Sequence, residues 1–191
     1  MSAVERASAA DGRAPAGVAP ASVVEPGPAA PTRSRTFSWQ DPAATASEGL
    51  KLAGLDYIRA IADGTLPPPP IAELHGFEIV EADEGRAIFA LTPAEWMYNP
   101  IGMVHGGIAA TILDSCMGCA VHTTLSSGVG YTTTDLQVRY IRAMGEATGR
   151  VLAEGRVVHR GKRTATAEGR VFVESNEKLI AHGSTGCVIF G

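Results

Sequence analysis

Between His105 and His122 runs a helix-length segment that is apolar on almost every side. Ile108, Ala109, Ile112, Cys116 and Ala120 recur at spacings of three and four and form one stripe. Ala110, Met117 and Gly118 cover much of the opposite side. A helix apolar nearly all round cannot rest on a surface; it must be covered on several sides. The run is too short to cross a bilayer and is broken by Thr111, Asp114 and Ser115, so the cover has to come from protein.

The rest of the chain supplies it as strands. Residues 77–81 and 87–91 are short β-prone runs around Asp83-Glu84-Gly85, the pattern of a hairpin. After the helix, four further β-type runs follow at 131–141, 148–158, 163–174 and 179–190 with short gaps. The third alternates in part, Thr164, Thr166 and Glu168 against Ala165 and Ala167, as a half-buried strand does. About six antiparallel strands and one long helix predict an α+β domain whose sheet wraps the helix.

Upstream, the composition changes. Residues 1–44 are dominated by Ala, Pro, Ser and Gly and lack the bulky apolar side chains needed to offset ordering entropy, so they read as a disordered tail. The domain is expected over 45–191, a suitable size for a single core. Leu52, Leu55, Ile58 and Ala62 predict a helix over 47–64, stopped at Asp63-Gly64, and prolines 67–70 predict an extended spacer.

The charge of −4 gives no global attraction to nucleic acid or to an anionic membrane. The start lacks the basic-then-apolar pattern of a secretory signal, and three cysteines make a poor disulfide framework, which together suit a reducing cytoplasm. Cys116 and Cys119 have no second ligand pair, and His75, His122, His159 and His182 are scattered. Neither a metal nor a cofactor is expected.

Asp114 is the residue on which chemistry turns. A carboxylate on a largely buried helix must be paired, hydrogen-bonded or set in a wet cleft. At the helix start, His105-Gly106-Gly107 puts unhindered backbone N–H groups at the positive end of the dipole, which suits the oxygen of a thioester carbonyl as it becomes negative. Asp114 follows His105 by nine residues, ~13 Å along the axis at 1.5 Å per residue. One helix can hardly bring both groups to one carbonyl; two helices from two subunits can.

The run from Asn99 to Val104 leading into His105-Gly106-Gly107, followed by Asp114, resembles the signature of PaaI-type hotdog thioesterases, and the likeness extends from about Leu50 to the C-terminus. The resemblance implies a hotdog fold and hydrolysis of acyl-CoA in a cleft between subunits of a homodimer or homotetramer. It gives Gly106 the oxyanion N–H, Asn99 and His105 the orientation of thioester or water, and Asp114 of the facing subunit the part of base or nucleophile. Thr133, early in the next strand, would assist. Gly107 and the turn Arg160-Gly161-Lys162-Arg163 are expected to hold substrate, the turn through the CoA phosphates, with Gly161 adding a backbone N–H. Ile101, Met103, Met117 and Tyr131 are expected to line the acyl site, for an aliphatic or an aryl group. Two rival readings are a non-catalytic acyl-CoA-binding hotdog domain and a hotdog hydratase or dehydratase acting on acyl thioesters; retention of Asp114 and Asn99 speaks against the first. The second usually carries a different His-and-carboxylate pattern, absent from this sequence.

Overall fold

In the computed structural model, residues 30–191 are described. The chain divides into two units, 1–35 and 36–191. Of the first, residues 30–35 are exposed and without regular secondary structure; the rest of the expected tail up to residue 29 lies outside the described residues.

The second unit begins with helices α1 (Pro42–Gly49), α2 (Gly54–Ala62) and α3 (Pro70–His75). The helix expected over 47–64 is therefore two helices, and the first starts inside the segment read as tail. Asp41 caps α1, accepting from the Ala43 N–H at 2.9 Å, with Pro42 at the first helical position. The break before α2 has a packing cause. The Gly54 N–H donates to the Leu125 carbonyl at 2.9 Å, and the space a side chain would need there is filled by the His122 carbonyl. Nor do prolines 67–70 stay extended throughout, since Pro70 opens α3, where its missing N–H is no loss.

Six strands follow the expected order: β1 (Phe77–Asp83), β2 (Arg86–Leu91), then the long helix α4 (Gly106–His122), then β3 (Gly130–Tyr140), β4 (Val151–Arg160), β5 (Thr164–Val173) and β6 (Leu179–Phe190). They form one antiparallel sheet in the order β1-β2-β4-β5-β6-β3, with β3 on the edge opposite β1. The sheet packs around α4 in the hotdog arrangement. Ile112, Leu113, Cys116, Met117, Ala120 and Val121 on the helix are fully buried, against Phe89, Val151, Ala153, Ala165, Ala167 and Val171 from the sheet. Small residues let the layers close. At Gly155 a Cβ would collide with the Cys116 carbonyl and stand 2.6 Å from the Met117 nitrogen.

On the outer face, Glu154 is only 4% exposed and is held by Arg86 at 2.7 Å, Arg156 at 2.6 Å and Arg170 at 2.9 Å. Burial alone would raise its carboxyl pKa. The three guanidinium partners outweigh that and bring it down to about 2. Through this carboxylate β2, β4 and β5 are cross-linked. No helix among the described residues is long and apolar enough to cross a membrane.

Candidate active site

The loop before α4 is organised by Asn99. Its side-chain oxygen accepts from the Ile101 N–H (3.1 Å) and the Met103 N–H (3.2 Å), and its own N–H donates to the Met103 carbonyl (2.7 Å). Two backbone donors on one oxygen fix which way the amide points. The expected role of orienting substrate is thus left to the NH₂ group, because the carbonyl is spent on the turn.

That turn delivers His105 to the head of α4. The His105 N–H donates to the Met97 carbonyl at 2.8 Å, and its Nδ1 accepts from the Gly107 N–H at 2.9 Å, capping the helix. With Nδ1 accepting, the neutral ring carries its proton on Nε2. The Gly107 N–H, expected to meet substrate, is consumed by this cap. A Cβ on Gly107 would stand 2.9 Å from Nδ1, so the cap itself needs glycine. Gly106 is different: its carbonyl accepts from the Tyr140 hydroxyl at 3.1 Å, but its N–H has no acceptor among the described residues. It borders a pocket of about 300 Å³ shared with His105, Met103, Tyr140 and Arg142.

Asp114 lies eight residues further on, ~12 Å along the helix. It is half-buried, and its Oδ1 accepts from the Thr133 hydroxyl at 2.9 Å. A register shift between Thr133 and Asp135 makes this contact: Thr133 pairs with Cys187 on the helix side, and past the bulge Asp135, opposite Gly186, points away. Asp114 borders a second cavity, about 690 Å³, walled by Phe77, Ile79, Phe89, Ser115, Cys119 and Tyr131 among others.

Other nucleophiles nearby are not primed. The Ser115 hydroxyl donates to the Thr111 carbonyl at 2.9 Å. Burial, aided by the Asp114 charge, pushes the Cys119 thiol up to about 12, and burial raises the Tyr131 phenol well above its ordinary value, so both stay protonated at neutral pH.

Of the expected apolar lining, Tyr131 borders the Asp114 cavity and Met103 the other pocket. Met117 is instead fully buried core, and Ile101 is 74% exposed on the Asn99 loop. The main apolar wall, Phe77, Ile79 and Phe89, went unassigned, although its signal was the alternation of the first hairpin. Arg160, Lys162 and Arg163 are exposed in the turn between β4 and β5. The Gly161 N–H donates to the Thr164 carbonyl at 2.8 Å, which closes the hairpin and removes the expected phosphate donor. Across the sheet, the Arg163 carbonyl accepts from Ile189, which pairs with Tyr131, so the turn sits at the Tyr131 end of the sheet.

Comparison with known proteins bears on the fold and the family. Residues 101–180 match the Thioesterase superfamily. A candidate esterase of Halobacterium salinarum is 42% identical over 98 residues, covering 49% of this chain and 63% of that protein's length. A 1,4-dihydroxy-2-naphthoyl-CoA hydrolase of Listeria monocytogenes is 24% identical over 110 residues, 58% of this chain and 87% of that one. Among solved structures, the E. coli PaaI protein from the phenylacetic acid degradation operon shares the fold with a TM-score of 0.62 at 21% identity, over 70% of this chain and 94% of its own.

Proposed function

We propose that this protein hydrolyses an acyl- or aryl-CoA thioester in a cleft completed by a second copy of the chain, a reading supported by the match of residues 101–180 to the Thioesterase superfamily and by the hotdog fold. The observation that carries this reading is the separation of two half-sites on one helix. Asp114, held by Thr133, faces an apolar cavity, while the unengaged Gly106 N–H faces a different pocket ~12 Å away. Two chains related by a twofold axis would set the Gly106 N–H of one against the partner subunit's Asp114.

In that cleft the thioester oxygen accepts from Gly106 as negative charge develops, and the NH₂ of Asn99 and the Nε2–H of His105 are further donors within the same loop. Asp114 either attacks the carbonyl carbon or takes a proton from a water that does. Both routes break the C–S bond and release CoA, the thiolate taking up a proton. Direct attack leaves an acyl anhydride on Asp114 that a water then hydrolyses to the free acid, whereas the activated water gives the acid in one step. Thr133 keeps one carboxylate oxygen engaged, so the other is presented to the reaction. A screen of CoA thioesters with a thiol reagent is the test; binding without thiol release would leave an acyl-CoA-binding domain.

Arg160, Lys162 and Arg163, exposed at the β4–β5 connection, would meet the CoA phosphates in this reading. Changing Lys162 and Arg163 to alanine should raise KM for full CoA esters on the order of tenfold, with kcat changed less and pantetheine esters little affected, since a remote phosphate contact is mostly uniform binding. Equal losses on both substrate types would place these residues elsewhere.

A further inference from the structure

We propose, resting on the hydrolase reading above, that the α2–α3 segment is the wall that sets acyl size, and that the site takes a bulky hydrophobic acyl group rather than acetyl. All the residues lining the Asp114 cavity except Asp114, Ser115, Cys119 and Tyr131 precede residue 90, outside the region that matches the superfamily. Ile61 at the end of α2 and Ala72 on α3 line it together with Phe77 and Phe89, and Asp63, Glu73 and Glu78 also border it. Those two rings pack edge to face at 5.8 Å and offer apolar surface that an acetyl group would leave unfilled.

The wall is fixed rather than hinged. α2 is anchored to β1 by the Arg59 guanidinium, which donates to the Ala82 carbonyl at 3.1 Å. Gly54 is anchored at the end of α4 by its bond to Leu125. α3 is capped by Gly76 in a left-handed conformation (φ 70°), and the His75 ring stacks with Phe77 and Trp96. A rigid apolar wall gives a graded gain with acyl length followed by a sharp limit, because interiors of this kind do not stretch. The volume of about 690 Å³ is in the range that holds a medium-length chain or a fused aryl group. Each methylene buried contributes roughly fourfold to kcat/KM.

The experiment is a length series of straight-chain acyl-CoA substrates from two to sixteen carbons, read as kcat/KM. It is paired with calorimetric Kd values for the matching S-alkyl-CoA thioethers, which bind but cannot be hydrolysed. The wild-type protein should favour octanoyl over acetyl by on the order of 10³-fold, about fourfold for each of the additional methylenes it buries, and fall off at longer lengths. Ala72→Leu, which adds bulk to the wall, should lower the octanoyl-to-butyryl ratio about tenfold; Ile61→Ala should move the optimum to longer chains. Ratios taken on one preparation do not depend on how much of it is folded, and the two variants act in opposite directions. A flat length profile, or variants whose profiles follow the wild type, would overturn the inference. If no thioester is cleaved but the thioether Kd values show the same length dependence and the same shifts, the wall stands and the hydrolase reading falls.

Discussion

Asp114→Asn should slow thioester hydrolysis by ~10²–10⁴-fold, the usual loss when a positioned proton-transfer group or nucleophile is removed. The substitution keeps the shape of the side chain, and its remaining oxygen still accepts from the Thr133 hydroxyl. What disappears is the negative charge and the basicity. Binding of an S-alkyl-CoA thioether should survive, since the Gly106 N–H and the basic turn are untouched. Stability should hold or rise, because a half-buried carboxylate kept for chemistry is commonly a stability cost. A solvated surface aspartate makes the opposite forecast, an unchanged rate. Measuring rate, thioether Kd and melting temperature on this one variant separates the cases, and an unchanged rate would remove Asp114 from the mechanism.

Gly155→Ala should destabilise the domain by about 3 kcal/mol, through backbone overlap rather than side-chain crowding. The added methyl would meet the Cys116 carbonyl carbon and oxygen and the Met117 nitrogen, and none of these can turn aside as a flexible side chain would. Either α4 lifts from β4 or the strand bends, and both open the contact between helix and sheet. For a domain of this size the melting temperature should fall by roughly 6–12 °C. Thr166→Ala, on the outer face of β5, serves as the comparison and should stay within about 0.5 kcal/mol. A melting temperature equal to that of Thr166→Ala would mean that the helix and sheet are not in the close contact described.

The hotdog fold was legible in the sequence because its central demand is compositional. A helix apolar on almost every side needs a wrap, and the runs around it had strand periodicity with short gaps that suit antiparallel neighbours. What escaped was set by contacts between distant residues. The split between α1 and α2 follows from Gly54 meeting the His122 carbonyl, which no local pattern encodes; the Asp41-Pro42 start of α1, by contrast, was a local signal passed over inside an Ala- and Pro-rich stretch. The same holds for Gly155, an ordinary strand glycine until α4 is laid across it.

At the site, Asp114, Thr133, His105 and Gly106 were named from sequence and resemblance, and Asp114 and Thr133 are in contact. The commitments of the other donors were not readable. Asn99 spends its carbonyl on its own turn, His105 takes the Gly107 N–H, and Gly161 closes a hairpin. Each is a competition between partners of similar strength, decided by geometry. Of the residues expected at the acyl group, Tyr131 borders the Asp114 cavity and Met103 the other pocket, whereas Met117 is core and Ile101 is exposed. The rest of the apolar lining at Asp114 comes from β1, β2 and the helices before them, distant in sequence from the motif.

The most direct test of a site shared between two chains is subunit mixing. Gly106→Pro removes an N–H that has no acceptor among the described residues and puts proline at a first-turn position that favours it, although the Tyr140 ring, 3.1 Å from an added Cβ, must shift. Asp114→Asn removes the carboxylate. Each variant alone should be nearly inactive in thiol release. Co-expressed with distinct tags and allowed to pair at random, half of the dimers are mixed and each mixed dimer holds one intact cleft, so activity should return to about a quarter of the wild-type value. A mixture as inactive as its two components, with mixed dimers verified by tandem tag capture, would contradict the shared cleft.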